Sequence, residues 1–393
     1  MRTLACLVYL FPMQSAVAGS PVTRLEVWPA AIELTSKRAR LQIVVTGLSA
    51  SGQAIDLTRQ AVIKSRDKTV AEMTGSLAVP VTDGETALHI TAAGLQVDVP
   101  VRVSQQARGD PIRFRSETLA VLTRQGCNAG SCHGSPRGKG GFSLSLFAYS
   151  PAIDEEALIR DGLGRRTNPQ QPDASLIIRK PMLRIPHVGG KKLRRTDEAY
   201  RILHQWILEG AHGHAVDEPE CLRIEVYPDS QRVLDLSREN RMSQQLSVLA
   251  HFSDGTVRDV TRIATYGTSH DQVATVDADG LVSAHESGLS AVTIRYLSHL
   301  ESVYFTAIRP VDSFQWRQQP ESGFVDAHVN AKLLQMSVLP SSICSDETFI
   351  RRVSLGLTGL LPAPDTTRKF LQNTSRTKRA QQIDRLLAAE EHA

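Results

Sequence analysis

The feature that most limits how this chain can fold is that part of it occurs twice. Leu25-Glu26-Val27-Trp28-Pro29 returns as Ile224-Glu225-Val226-Tyr227-Pro228, and Asp56-Leu57-Thr58-Arg59 returns as Asp259-Val260-Thr261-Arg262. In each copy a Val-Ala pair, Val70-Ala71 and Val273-Ala274, begins 14 positions after the Asp. Landmarks in register at this separation mark one structural unit used twice. Both copies read as β structure. Leu95, Val97, Val99, Val101 and Val103 alternate at period two, as do Leu246, Val248, Ala250 and Phe252 before an Asp254-Gly255 turn. Short alternating runs separated by turn signals predict two sandwiches.

Composition excludes several classes. Hydrophobic residues make up 41% and charged residues 22% of the 393, a globular balance. A net charge of +4, from 45 basic against 41 acidic residues, is too even for a dedicated nucleic-acid binder. Five cysteines are too few for a disulfide scaffold. At the N-terminus, Arg2, the apolar run Leu4 to Phe11 and Ala16-Val17-Ala18 form a secretory leader over residues 1–18, with Cys6 inside it. Pro12, Gln14 and Ser15 interrupt that run too early for a membrane span, and no other stretch is long enough. The expectation is an exported protein, periplasmic or at the cell surface, with no membrane span and no nucleic-acid partner.

Between the copies, residues 111–215 have a different pattern. Ser116 is placed to cap a helix bearing Leu119, Val121 and Leu122. Thr196, Asp197 and Glu198 open a second helix whose apolar stripe is Tyr200, Leu203 and Ile207, ended by Gly210. After the second copy, 324–393 reads as helical. Ser345-Asp346-Glu347 starts one helix with Phe349, Val353 and Leu357 on its face, and Ile383, Leu386 and Leu387 mark another.

The sharpest chemical motif is Cys127-Asn128-Ala129-Gly130-Ser131-Cys132-His133. Two thiols followed directly by a histidine suit covalent attachment of haem, with the imidazole beneath the iron, although the usual spacing is C-x-x-C-H. Gly126, Gly130 and Gly134 allow the tight backbone a flat ligand needs. Two alternatives stand beside this: a local Cys127–Cys132 disulfide, or zinc held by Cys127, Cys132, His133 and one more histidine. Gly134-Ser135-Pro136-Arg137-Gly138-Lys139 is not a phosphate loop, because its glycine spacing is one short and Gly140 replaces the Ser/Thr.

Two resemblances extend this reading. Val273-Ala274-Thr275-Val276-Asp277 with Gly280-Leu281-Val282 resembles the bacterial immunoglobulin-like group 2 family, whose modules are spacers or binding domains. The cysteine motif, with Gly141-Phe142-Ser143-Leu144-Ser145-Leu146-Phe147, Pro186-His187-Val188-Gly189-Gly190-Lys191 and Trp206-Ile207…Gly210-Ala211, resembles the cytochrome c-like domain of large exported planctomycete-type proteins. That likeness implies covalent haem c on Cys127 and Cys132, His133 as proximal ligand, and His187, preferred over Met182, as distal ligand. His204 is expected at the surface or in packing, and His212 and His214 in solvent. Arg165, Arg166, Lys191, Lys192, Arg194 and Arg195 would face haem propionates or steer an acidic redox partner. Cys344-Ser345-Asp346, Phe349-Ile350-Arg351-Arg352-Val353 and Leu357-Thr358-Gly359-Leu360-Leu361-Pro362 resemble the start of that family's first domain of unknown function, cut short at Ala393.

The expected organisation is therefore a leader (1–18), an Ig-like domain (21–106), a small mainly-α cytochrome c-like haem domain (111–215), a group 2 Ig-like domain (220–310) and a truncated helical segment (324–393). The expected function is haem binding and one-electron transfer to a redox partner protein, rather than a self-contained enzyme. The alternative is a cell-surface structural or carbohydrate-binding Ig-like protein, in contact with surface or polysaccharide, whose Cys127–Cys132 pair is a disulfide.

Overall fold

The computed structural model of the chain describes residues 21–311, 313–317, 321 and 323–390; the expected leader at 1–18 lies outside them. The described residues up to Phe314 form one compact unit, and those from Gln315 form another.

The first copy of the repeat contributes ten strands: β1 (Val22–Trp28), β2 (Ile32–Leu34), β3 (Leu41–Gln42), β4 (Val44–Ser49), β5 (Ala54–Asp56), β6 (Val62–Ser65), β7 (Ala71–Thr74), β8 (Leu77–Pro80), β9 (Gly84–Ala92) and β10 (Leu95–Val103). They form sheets in the orders β1-β4-β5, β2-β10-β9-β6 and β3-β8-β7. The second copy contributes β11 (Cys221–Tyr227), β12 (Arg232–Asp235), β13 (Ser243–Gln245), β14 (Ser247–Phe252), β15 (Val257–Asp259), β16 (Thr265–Thr268), β17 (Ala274–Val276), β18 (Leu281–Ala284), β19 (Gly288–Tyr296) and β20 (His299–Ile308). Their orders, β11-β14-β15, β12-β20-β19-β16 and β13-β18-β17, repeat the first set strand for strand. Even the parallel pairing of β10 with β2 recurs as β20 with β12.

The alternation read from the sequence sets which face is buried. Val99, Val101 and Val103 point into the core at 2% exposure each, while their neighbours face out. Leu246, Val248, Ala250 and Phe252 are likewise buried. Gly84 and Gly288, one in each copy, let β9 and β19 approach the repeated valines. A Cβ there would lie 3.0 Å from Val70 Cγ2 and 2.7 Å from Val273 Cγ2.

The two copies differ in what completes their cores. The first closes on itself around Ile32, Leu34, Ile43, Leu88, Ile90 and Val101. In the second, one continuous core joins Ile224, Val248, Ile294 and Phe305 to Phe114, Leu122, Leu158, Leu203 and Trp206 of the intervening segment. Segment 111–215 therefore does not show the separate mainly-α, cytochrome-like domain expected. It contains short helical pieces, and its apolar faces continue the neighbouring sandwich's core. Tyr296 anchors the join, its buried hydroxyl donating to Ser116 O at 2.7 Å.

Within this segment Phe114–Leu119 runs into Ala120–Arg124, so Ser116 lies inside the helical turn rather than at its cap. Its N–H and hydroxyl donate instead to Glu218 Oε1, at 2.9 and 3.0 Å. Glu198–Leu208 forms as expected, with Asp197 as N-cap. Its buried stripe is Ala199, Ile202, Leu203, Trp206 and Ile207; Tyr200 turns aside to donate to Asp173 Oδ1 at 2.9 Å. Placing the stripe one step over brings the Trp206 ring inside, where its Nε1–H donates to His212 O.

The second unit is helical: Phe324–Gln335, Asp346–Thr358, Pro364–Gln372 and Lys378–Leu387. Ser345 caps the second helix by accepting from Thr348 N at 3.4 Å, and Gly359 ends it in the left-handed region at φ 69°. Asp346 in the first turn pairs with Lys378 at 2.6 Å and Arg379 at 2.7 Å, tying the last helix to this helix start. Ile350 and Phe370 are its buried apolar residues, a small core.

Candidate functional site: the cysteine–histidine loop and the seam between sandwiches

The Cys127–His133 loop follows directly from the helix ending at Arg124. Gly126, at φ 70°, turns the chain, and Cys127 N–H closes on Leu122 O at 2.9 Å. His133 N donates back to Cys127 O at 3.0 Å and Gly134 N to Ala129 O at 3.0 Å, so the loop is wound onto itself. Gly134 is required there: a Cβ would fall 2.0 Å from Asn128 O. Asn128, 1% exposed, fills the centre with its Nδ2 donating to Thr123 Oγ1 at 2.8 Å. Both Cys127 and Cys132 are half-buried free thiols. Loss of solvent, and then the neighbouring Cys132, pushes the Cys127 thiol up to about 12.

His133 is held by Phe142, whose carbonyl lies 2.9 Å from Nδ1 and whose ring lies 4.7 Å away. His187 reaches the same place from the Pro186–Gly190 turn, its Nδ1 2.8 Å from Gly190 O. The two imidazoles lie 6.4 Å apart between centroids with planes 18° from parallel. Burial first, with the nearby His187 adding to it, lowers the His133 pKa. Met182 is half-buried against the hydrophobic core.

The six basic residues expected around one pocket scatter. Arg166 is buried, donating to Ala157 O and Asp161 O and lying over the Phe142 ring. Arg195 pairs with Asp173 at 2.6 Å, while Lys191, Lys192 and Arg194 line a different cleft. His204 packs beside Tyr200, and His214 is exposed, with its Nδ1 3.0 Å from Glu155 Oε2.

The residues with the most exacting geometry were not singled out as a site in the sequence. Thr58 and Thr261 each cap their own Asp: Thr58 N donates to Asp56 Oδ1 at 2.8 Å and Thr261 N to Asp259 Oδ1 at 2.7 Å. The remaining carboxylate oxygens cross to the other sandwich. Gln245 N donates to Asp56 Oδ2 at 2.6 Å, and Gln42 N to Asp259 Oδ2. Trp28 and Tyr227, the aromatic residues of the other repeated motif, stack on each other at 5.1 Å and 5°. Tyr227 OH also meets Thr46 Oγ1 at 3.0 Å. The repeated residues thus make reciprocal contacts across a pseudo-two-fold seam. The available sequence signal was an Asp-x-Thr placed identically in both copies.

Comparison with known proteins adds the following. Residues 324–393 match the family model described as PSCyt2, a protein of unknown function (DUF1549), in agreement with the resemblance seen at that end. No curated protein matches the chain. Among solved structures, domains 5–6 of the S-layer protein SbsC match at 12% identity and a TM-score of 0.29, covering 74% of this chain and 99% of that one. SbsC domains 4–9 match at 11% and 0.29, covering 73% and 31%, and extracellular domains 3–5 of Drosophila OTK at 8% and 0.15, covering 73% and 62%.

The cytochrome reading is corrected here, with its haem, iron, metal-binding and electron-transfer content. Among the described residues no three His, Cys, Asp or Glu side chains gather into a metal site, which leaves the zinc alternative without a ligand set as well. The matching family is one of unknown function, and its match lies wholly outside 111–215. Among the described residues no helix is long and apolar enough to cross a membrane.

Proposed function

We propose that this chain is an exported structural protein of the cell surface, whose two Ig-like sandwiches act as one rigid presenting body. The reciprocal Asp56–Gln245 and Asp259–Gln42 clasp carries this reading. A flexible tether would leave these backbone N–H groups to water, whereas here each module supplies the acceptor its partner needs. The leader-like stretch Arg2, Leu4 to Phe11 and Ala16-Val17-Ala18 supports export. Cys127 and Cys132 then serve as a local dithiol. Outside the cell they form one S–S bond, passing two electrons and two protons to an oxidised dithiol carrier.

The test combines place and stiffness. Protease applied to intact cells should cleave the protein. Spin labels at the exposed loop residues Ser51 and Glu286, one on each sandwich, should report a narrow distance distribution that broadens in Asp56→Ala/Asp259→Ala. Retention in the cytoplasm, or a broad distribution in the unaltered protein, would overturn the reading.

A further inference from the structure

Where the first sandwich, the intervening segment and the second sandwich meet, a cleft of about 1360 Å³ opens. It is larger than the 300–1,000 Å³ of a usual small-molecule pocket. Its walls are dense in charge, and part of that charge is matched by ion pairs. Arg38 pairs with Asp110 at 3.0 Å and Glu117 at 2.6 Å, Arg201 with Glu198, Arg262 with Asp279 at 3.0 Å and Arg258 with Asp254 at 3.6 Å. Arg124 donates to Ala264 O and Ala278 O.

Among the described residues, what is left over is mainly one sign. Arg40 donates only to the carbonyl of its neighbour Ala39, and Arg113 keeps Nη1 buried with no partner. Exposed Lys191, Lys192 and Arg194 line the same cleft with no carboxylate within ion-pair distance. Of the described acids lining it, Glu33, Asp197, Asp259 and Asp277 have no ion-pair partner, and the last three accept backbone N–H bonds instead, so unpaired cations still outnumber unpaired acids. The unmatched cations come from two lobes, Arg40 from the first sandwich and the others from the intervening segment, so a single small anion would not span them.

We propose that this cleft binds an anionic polysaccharide, a uronate-rich or sulfated glycan, whose repeated negative groups run along these cations. A bilayer is too flat to enter a cleft between three lobes. Single-stranded nucleic acid needs open aromatic platforms, and the two tyrosines here offer none. Tyr296 is 2% exposed, and Tyr266 donates to Thr261 O with Arg124 over its ring. The inference deepens the surface reading, resting on it only for the choice of a glycan. Binding in solution does not depend on where the cell places the protein, so the two fail separately.

The test is calorimetric titration of the full chain with oligogalacturonate and dextran sulfate, and with neutral dextran as control. Both anionic glycans should bind and weaken steeply with salt, and dextran should not bind. Arg40→Glu/Lys192→Glu should weaken binding at least about tenfold, a difference of roughly 1.4 kcal/mol. Neither side chain is within ion-pair distance of a carboxylate, although Glu198 lies near enough to Arg40 to feel its charge, and an unchanged melting temperature verifies folding; Lys191→Ser/Arg194→Ser repeats the test within the intervening segment alone. Binding of inorganic sulfate without either glycan, equal binding of dextran, or unweakened binding in both folded variants would overturn the proposal.

Discussion

The two sandwiches share topology, turn chemistry and the residues of their common seam, yet only one has a core of its own. The first closes around Ile32, Leu88 and Ile90, whereas the second runs without a break into Phe114, Leu203 and Trp206. A repeated backbone pattern therefore does not imply repeated energetics. What a copy buries depends on what the chain places beside it, here the segment 111–215.

Trp206→Ala tests this difference with the largest effect. Trp206 is 1% exposed and its Nε1–H has a carbonyl partner. Truncation should cost about 3–5 kcal/mol. The intervening segment and the second sandwich should lose hydrogen-exchange protection together while the first keeps its own. Equal loss in both sandwiches would show that the cores are not distinct.

The seam should respond more weakly and symmetrically. Asp259→Ala leaves Gln42 N–H without its acceptor and Asp56→Ala does the same to Gln245 N–H. Each should cost about 1–3 kcal/mol, measured by urea unfolding. The double variant shows whether the two halves of the clasp are coupled. A large effect at one site with none at the other would contradict the pseudo-two-fold reading.

At neutral pH the smallest expected effect comes from the loop, whose pH window opens only toward acid and alkali. In the reduced protein the Cys127 thiol is raised from 9.0 to about 12, so its stabilising contribution is complete below pH 9 and is lost as pH rises toward 12. His133 is shifted the other way, below 6.5, so its contribution is present above that pH and falls away as acid protonates the unfolded chain first. Melting temperature against pH should therefore fall on both sides of this window. Cys127→Ser should flatten the alkaline side, with Cys132 alkylated before Cys127 in the unaltered protein.

Much of the fold was legible from local rules. Period-two alternation located β10 and β14, the repeat implied one topology used twice, and Ser345 marked the start of a helix. The rules failed where burial was decided by a partner distant in sequence. Ser116 reads as a cap until Glu218 supplies the acceptor, and Tyr200 reads as core until Asp173 accepts from its hydroxyl. The cysteine motif carried a sharp sequence signal. In the structure its loop is tightly wound and His187 approaches His133, but no cluster of three ligating side chains formed around them among the described residues.

By itself, the sequence determined that two β units of the same pattern would form, because alternation and turn residues act over a few neighbouring positions. Only the tertiary structure decided that Asp56 and Asp259 would each serve the opposite sandwich, and that the second sandwich would share its core with 111–215. Those choices depend on which buried N–H groups and apolar faces meet across long sequence separations, and no local pattern records that.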